Sequence, residues 1–208
     1  MSEDSDITIV IIDDHQVVRE GLKSALMHHG FSIVGQAASK NEAFAQIAHT
    51  NPKVILVDLN LPDGSGLDVI SWARGISSTL GIVVLTMSDD DKSLLASLQS
   101  GANAFISKSA PISHVIAAIS QAYLAPQSFT GSGLSEAIKR KRDGYQITAR
   151  ELTVLEFLPK GLTSAAIAKN LFLSEATVKT HLASIYRKLS VTNRAQAVDV
   201  ALKNLIIT

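Results

Sequence analysis

The pattern of hydrophobic and polar positions changes once along the chain. In the first part, short apolar runs at residues 7–12, 33–36, 54–57, 82–85 and 104–106 alternate with amphipathic stretches. The runs are rich in Val and Ile and nearly continuous, as parallel strands covered on both faces must be. The stretches between them, at 15–28, 40–49, 66–73, 91–100 and 112–124, space their apolar residues for helices. Gly30 follows the first helix and Pro111 opens the last. Five strand–helix units in succession predict an α/β domain, an open five-stranded parallel sheet wound with helices on both faces.

The pattern breaks at "PQSFTGSGLSEAIKRKRDGY", where Gly, Ser and Pro precede a basic run, Lys139 to Arg142. This composition reads as a solvated linker with one helical stretch. Beyond it the period is helical throughout. Thr148-x-x-Glu151 is a capping-box signature ahead of Leu152, Leu155 and Leu158. Pro159, which has no N–H to donate, ends that first helix near Leu158. Three more helices are predicted at 164–171, 175–189 (with Ser174 as cap) and 194–203. The expected organisation is an α/β domain over 1–125, a linker over 126–145 and an all-α four-helix domain over 146–208.

Charge sharpens this division. The net charge of zero separates into 7 basic and 13 acidic residues over 1–125, and 12 basic and 6 acidic over 126–208. A basic helical domain is a candidate for binding a polyanion, although scattered surface charge gives the same count. The absence of cysteine excludes disulfides and thiolate metal sites. With no apolar run approaching a membrane span and no basic-then-apolar N-terminal signal, the expectation is a soluble, cytoplasmic protein.

The candidate chemistry lies at strand ends, where sites form in open parallel sheets. Asp13 and Asp14 follow the first strand, Asp58 the third, Thr86 the fourth and Lys108 the fifth. A pair of adjacent carboxylates can simply cap the next helix. Three carboxylates, a hydroxyl and an ammonium on one sheet edge instead suit a hard cation such as Mg²⁺. The six histidines show no paired helical ligand spacing, which argues against zinc or copper.

The segments "VIIDDHQVVREGL", "VILVDLNLPDGSGLDVI", "IVVLTMS" and "GANAFISKSA" resemble the receiver domain of two-component response regulators. The segment "ITARELTVLEFLPKGLTSAAIAKNLFLSEATVKTHLASIYRKLSVTNRAQAV" resembles the LuxR-type helix-turn-helix. Together they resemble a NarL/FixJ-type regulator over nearly the whole chain outside the linker. The resemblance implies a flavodoxin-like receiver with Asp58 as phosphoacceptor, phosphorylated by a sensor histidine kinase. It implies Mg²⁺ held by Asp14, Asp58 and the Asn60 carbonyl, with Asp13 acting through water. Lys108 would offset the developing charge, Thr86 would hydrogen-bond the phosphoryl group, and Phe105 would be the aromatic switch residue. Phe105 stands where tyrosine is common, so a switch here rests on ring packing without a hydroxyl.

In the third C-terminal helix, Val178, Leu182, Ile185 and Leu189 form an apolar stripe. The opposite face carries Ala176, Thr180, Ala183 and Arg187, with Lys179 at its edge. The pattern alone also fits an ordinary solvated face. The resemblance implies a recognition helix in the major groove of double-stranded DNA, bound by a homodimer, with Lys179, Thr180 and Ala183 toward base edges. The expected function is phosphorylation-controlled transcription regulation, without enzymatic activity beyond the protein's own phosphoryl transfer and dephosphorylation. A Mg²⁺-dependent aspartyl-phosphate phosphohydrolase is the alternative, but the short inter-strand loops leave no substrate-binding cap. A constitutive DNA-binding protein with a vestigial receiver is a third reading, opposed by the intact set Asp13, Asp14, Asp58, Thr86 and Lys108.

Overall fold

The computed structural model describes residues 7–88 and 90–207. In chain order its elements begin with β1 (Thr8–Ile12), α1 (Gln16–His28), β2 (Ser32–Ala37), α2 (Lys40–Thr50) and β3 (Val54–Val57). A two-residue hairpin, β4 (Asn60–Leu61) and β5 (Gly64–Ser65), leads into α3 (Gly66–Ile76). Then come β6 (Gly81–Thr86), α4 (Asp91–Ser100), β7 (Ala104–Ser107), α5 (Ile112–Leu124) and β8 (Thr130–Gly131). Five helices complete the chain: α6 (Leu134–Gly144), α7 (Ala149–Glu156), α8 (Ser164–Leu171), α9 (Glu175–Lys188) and α10 (Arg194–Lys203). The chain divides into two compact units, the first through Leu134 and the second from Ser135. No helix among the described residues is long and apolar enough to cross a membrane.

The first unit is built on a sheet of order β2-β1-β3-β6-β7-β8, parallel throughout. Continuous burial of β1, β3 and β6 explains their unbroken apolar runs: both faces are covered. Ile9, Ile11, Val54, Leu56, Val83 and Leu85 pack with Leu26 of α1 and Val115, Ile119 and Ala122 of α5. The alternate residues Val10, Ile12, Ile55, Val57, Ile82 and Val84 are equally buried. The helices α2, α3 and α4 pack side by side and bury Ala43, Ile47, Val69, Ile70, Ala73, Leu94 and Leu95.

The sheet has six strands where the sequence predicts five. The extra one, β8, pairs with β7 through Ala104↔Thr130 and Phe105↔Gly131, inside the stretch read as linker. Its cause is tertiary. The side chain of buried Asn103 donates to the Pro126 and Ser128 carbonyls at 2.7 and 3.1 Å, and the Asn103 backbone carbonyl accepts from the Thr130 N–H at 2.8 Å. A two-residue strand held this way has no apolar run to announce it. The helical stretch expected in the same interval is α6.

In the second unit, α7 to α10 close around Val154, Leu155, Leu158, Ile167, Val178, Leu182, Ile185 and Ala197. The capping box forms as its spacing predicts, Thr148 Oγ1 accepting from the Glu151 N–H while Glu151 Oε2 accepts from the Thr148 N–H. Glu151 does more than cap. Its buried carboxylate also accepts from Ser184 at 2.6 Å and from the Lys188 ammonium at 2.6 Å, tying α7 to α9. α7 ends at Glu156, two residues ahead of the expected Leu158, with Phe157 as its cap, and Arg194 donates to the Leu158 and Leu162 carbonyls beyond it. The turn between α8 and α9 needs a left-handed residue. Phe172 supplies it at φ +55° and lies almost fully exposed.

Burial opposes ionisation of Glu151, but hydrogen bonds from Lys188, Ser184 and Thr148 outweigh it and pull its pKa down to about 2. A carboxylate depressed on folding stabilises above its unfolded pKa, and that stability is lost as pH falls through the folded value. Glu151→Gln is therefore expected to lower the stability of the helical unit at pH 7 by on the order of 2–3 kcal/mol. The difference should shrink steadily from about pH 4.5 toward pH 2. Urea unfolding of both proteins across that window checks this, and a difference independent of pH contradicts it.

Candidate functional site

The register of β1 against β3 builds the site. Ile12 is paired with Val57, so the chains leave the sheet abreast and Asp13 and Asp58 emerge at the same level. Backbone bonds continue one step past the strands, with the Asp58 N–H donating to the Ile12 carbonyl and the Asp13 N–H to the Ala37 carbonyl. Strand order reverses between β1 and β3, so this edge is where a crevice forms in such a sheet. Asp13 is 2% and Asp58 3% exposed. Two carboxylates that close and that dry repel strongly unless a cation stands between them.

Lys108 provides that cation. Its backbone N–H donates to the Thr86 carbonyl at 2.8 Å, which fixes the residue just past β7. Its ammonium then lies 2.6 Å from Asp13 Oδ2 and 2.6 Å from Asp58 Oδ2. Burial alone lowers a lysine pKa, but here the hydrogen bonds and charges of Asp13 and Asp58 outweigh it and raise the value. Lys108 stays an ammonium at neutral pH.

The remaining carboxylate oxygens face the other way. Asp58 Oδ1 accepts from the Asn60 N–H at 3.3 Å, and Asp13 Oδ1 accepts from the His15 N–H at 2.9 Å. Asp14 is exposed and does not cap α1, whose N-cap position is His15 with no side-chain cap. Arg19 donates to the Asp13 carbonyl at 2.6 Å. One ligand atom each from Asp13, Asp14, His15 and Asp58 lie within 4.8 Å of one another. His15 was not among the residues singled out from the sequence. The sequence signal for it is its position directly after the acidic pair, whereas paired helical spacing of histidines does not include it.

Thr86 ends β6, fully buried, its hydroxyl oxygen accepting from the Ser88 N–H at 3.1 Å. Phe105 lies buried in β7, paired with Val84 on one side and with Gly131 of β8 on the other. Asn60 sits in the β4–β5 hairpin directly beyond Asp58. Gly66, at the start of α3, was not singled out either. A Cβ there would lie 2.0 Å from the Asp58 carbonyl oxygen, so the close approach of α3 to the acidic loop requires glycine.

In the second unit, Ala176, Lys179, Thr180, Ala183 and Arg187 of α9 are all exposed, while Val178, Leu182 and Ile185 are buried. Two details refine the expected face. Lys179 pairs with Glu175 one turn before it at 2.7 Å. The Thr180 hydroxyl donates to the Ala176 carbonyl at 3.1 Å, which leaves its methyl and oxygen lone pairs outward.

Residues 9–120 match the response regulator receiver domain family, and residues 145–201 match the luxR family of bacterial regulatory proteins. The transcriptional regulatory protein YdfI of Bacillus subtilis (strain 168) is 34% identical, with 96% of this chain and 97% of YdfI covered. The crystal structure of the response regulator ChrA, from a heme-sensing two-component system, is 30% identical with a TM-score of 0.54, covering 98% of this chain and all of ChrA. A structure of the response regulator RcsB bound to DNA shares the fold at 24% identity and a TM-score of 0.55, covering 95% of this chain and 98% of RcsB. A receiver ahead of a LuxR-type helix-turn-helix defines the DNA-binding response regulators of two-component systems. The chain belongs to their NarL/FixJ-type family of transcription regulators.

Lys108→Met keeps the aliphatic stem and removes the charge between two buried carboxylates. We expect it to destabilise the first unit in EDTA buffer at pH 7 by on the order of 3 kcal/mol, as breaking a buried ion pair does. Because the Lys108 pKa is raised, that contribution is fully present at neutral pH and is lost only as pH rises through the raised value. Urea unfolding at pH 7 measures it, and equal stability of the two proteins contradicts the bridging role.

Proposed function

We propose that this protein is a phosphorylation-controlled transcription regulator, with receiver 1–125, linker 126–145 and DNA-binding domain 146–208. In this reading Asp58 accepts a phosphoryl group from a phosphohistidine on a sensor kinase, in the cytoplasm. The observation that carries it is the double bridge of Lys108 to Asp13 and Asp58, which engages Oδ2 of Asp58 and leaves Oδ1, held by the Asn60 N–H, clear of the ammonium. That oxygen attacks phosphorus as the phosphorus–nitrogen bond breaks. The bond's electrons return to the imidazole, which takes a proton from water, and Asp58 becomes an acyl phosphate. Charge accumulates because nucleophile and phosphoryl group are both anionic, and Lys108 is positioned to offset it.

The donor set fits a hard divalent cation, since carboxylate oxygens from three residues converge within one ion's reach. Asp14, Asp58 and the Asn60 carbonyl would hold Mg²⁺, with Asp13 acting through water. When bound, Mg²⁺ supplies further neutralisation between the carboxylate and the phosphoryl oxygens. Thr86 hydrogen-bonds a phosphoryl oxygen, and Phe105 responds by ring packing alone, since it carries no hydroxyl.

In the helical domain, α9 enters the major groove of double-stranded DNA, with a second copy of the chain on the other half-site. Lys179, Thr180 and Ala183 face base edges, and Arg187, two turns later, meets the phosphate backbone. With its hydroxyl proton committed to Ala176, Thr180 presents its methyl group, which suits a thymine methyl.

Two experiments test the two halves. Wild type and Asp58→Asn are incubated with acetyl phosphate and Mg²⁺ and weighed by intact mass, and a single phosphoryl group is expected on wild type alone. Equal phosphorylation of both sinks the assignment of Asp58. For DNA, Thr180→Ala and Arg187→Ala are measured against a randomised-site library at two salt concentrations. Thr180→Ala is expected to relax preference at one base pair at a cost on the order of 1–3 kcal/mol, and Arg187→Ala to weaken all sequences alike and flatten the salt slope. Unaltered sequence preference in Thr180→Ala means that this face does not read bases as assigned.

A further inference from the structure

The first turn of α9 carries a charge for which phosphate binding has no use. Glu175 is the first residue of the helix, directly after its Ser174 cap, and it is exposed. Its Oε1 lies 2.7 Å from the Lys179 ammonium one turn on, at the edge of the face that presents Ala176, Thr180 and Ala183. Helix physics accounts for part of this. A carboxylate near a helix N-terminus meets the positive end of the dipole, and a Glu–Lys pair at i and i+4 adds a little stability. On a helix that approaches DNA, however, the same carboxylate repels phosphates and cancels the ammonium beside it.

The chemistry of base edges gives the pair a use. In the major groove an ammonium pairs with guanine through O6 and N7, and a carboxylate accepts from the N4 amino group of cytosine. Those two partners are the halves of one base pair, and O6 and N4 are hydrogen-bonded to each other. Recognising both at once takes a donor and an acceptor side by side, which is how Lys179 Nζ and Glu175 Oε1 are held. Because an exposed ion pair is weak, the two groups can turn toward bases at little cost. Exchanging G·C for A·T sets the adenine N6 donor before the ammonium and the thymine O4 acceptor before the carboxylate. Both contacts then fail, and the carboxylate is left without a donor.

We propose that Glu175 is a specificity-determining residue that reads DNA together with Lys179, the pair recognising one G·C base pair in each half-site. The proposal rests on the reading of α9 as the recognition helix. It makes the Lys179 contact conditional, because the ammonium gains guanine only where Glu175 meets cytosine. On any other sequence the carboxylate opposes binding, so the pair selects by repulsion as well as by attraction.

The test selects sites from a randomised duplex library with the full chain in acetyl phosphate and Mg²⁺. Wild type is expected to require G·C at one position of each half-site. Glu175→Ala and Lys179→Met should each relax that same position, lowering discrimination about tenfold, and leave the position read by Thr180 unchanged. Glu175→Gln puts there an amide that pairs bidentately with adenine, so the preferred base should move from cytosine to adenine. The thymine opposite still offers Lys179 an O4 acceptor. A role confined to helix stability moves the midpoint of urea unfolding and no base preference. Unaltered preference in Glu175→Ala, with or without a uniform change in affinity, overturns the role of Glu175, as does relaxation at a position different from that of Lys179→Met. If Lys179→Met and Thr180→Ala also leave sequence preference intact, α9 itself is misassigned and the proposal falls with it.

Discussion

The ammonium of Lys108, 2.6 Å from a carboxylate oxygen of Asp13 and of Asp58, is the interaction on which the first unit turns. Three strand ends meet through it, those of β1, β3 and β7. Two buried carboxylates on adjacent strands are an electrostatic liability that the sheet register forces, since Ile12 and Val57 are paired and their successors must emerge together. Lys108 removes the liability only if β7 ends at the right height, and the bond from its N–H to the Thr86 carbonyl sets that height. The pocket is therefore a product of register, and a slip of one residue in any of these strands would turn its side chains to the opposite face.

The helical unit repeats the same device with different partners. Glu151, buried at the first turn of α7, meets Lys188 at the last turn of α9, with Ser184 filling a further lone pair. A buried carboxylate so fully hydrogen-bonded both stabilises the packing of α7 on α9 and fixes its orientation, since the bonds from Lys188, Ser184 and Thr148 outweigh its desolvation. Orientation is what α9 needs. With Lys188 fixed against α7 and Val178, Leu182 and Ile185 in the core, the face from Ala176 to Arg187 has one direction left in which to point.

The parts of this architecture that local sequence determines were legible. Continuous apolar runs marked the five long strands, and the helix starts were marked by Thr148 with Glu151, by Ser174 and by Pro111. Placing Asp13, Asp14, Asp58, Thr86 and Lys108 at strand ends followed from strand order alone, because a parallel sheet delivers its carboxyl ends to one edge. What escaped depends on partners far away in sequence. The strand β8 exists because Asn103 reaches Pro126 and Ser128, more than twenty residues on. The second duty of Glu151 needs Ser184 and Lys188, 33 and 37 residues on. Gly66 is required by the Asp58 carbonyl, a clash that only the packed chain reveals. His15 was hidden differently. Its ring reaches the pocket through its immediate neighbours, and a single histidine beside carboxylates has no spacing pattern to mark it.

The position of β8 gives the strand that carries Lys108 a second role. β7 holds Phe105 at its centre and Lys108 just beyond its end, and it is also the strand along which the departing chain is paired. Gly131 sits so close that an added Cβ would lie 2.7 Å from Leu94 of α4 and 3.0 Å from the Phe129 ring, so this pairing position requires glycine. A change of charge at Asp58 acts first on the ammonium 2.6 Å away. That ammonium is anchored by backbone to the same strand whose other edge holds residues 130 and 131. The backbone of β7 thus joins the acidic pocket to residues 130 and 131 through its own hydrogen-bonded pairing.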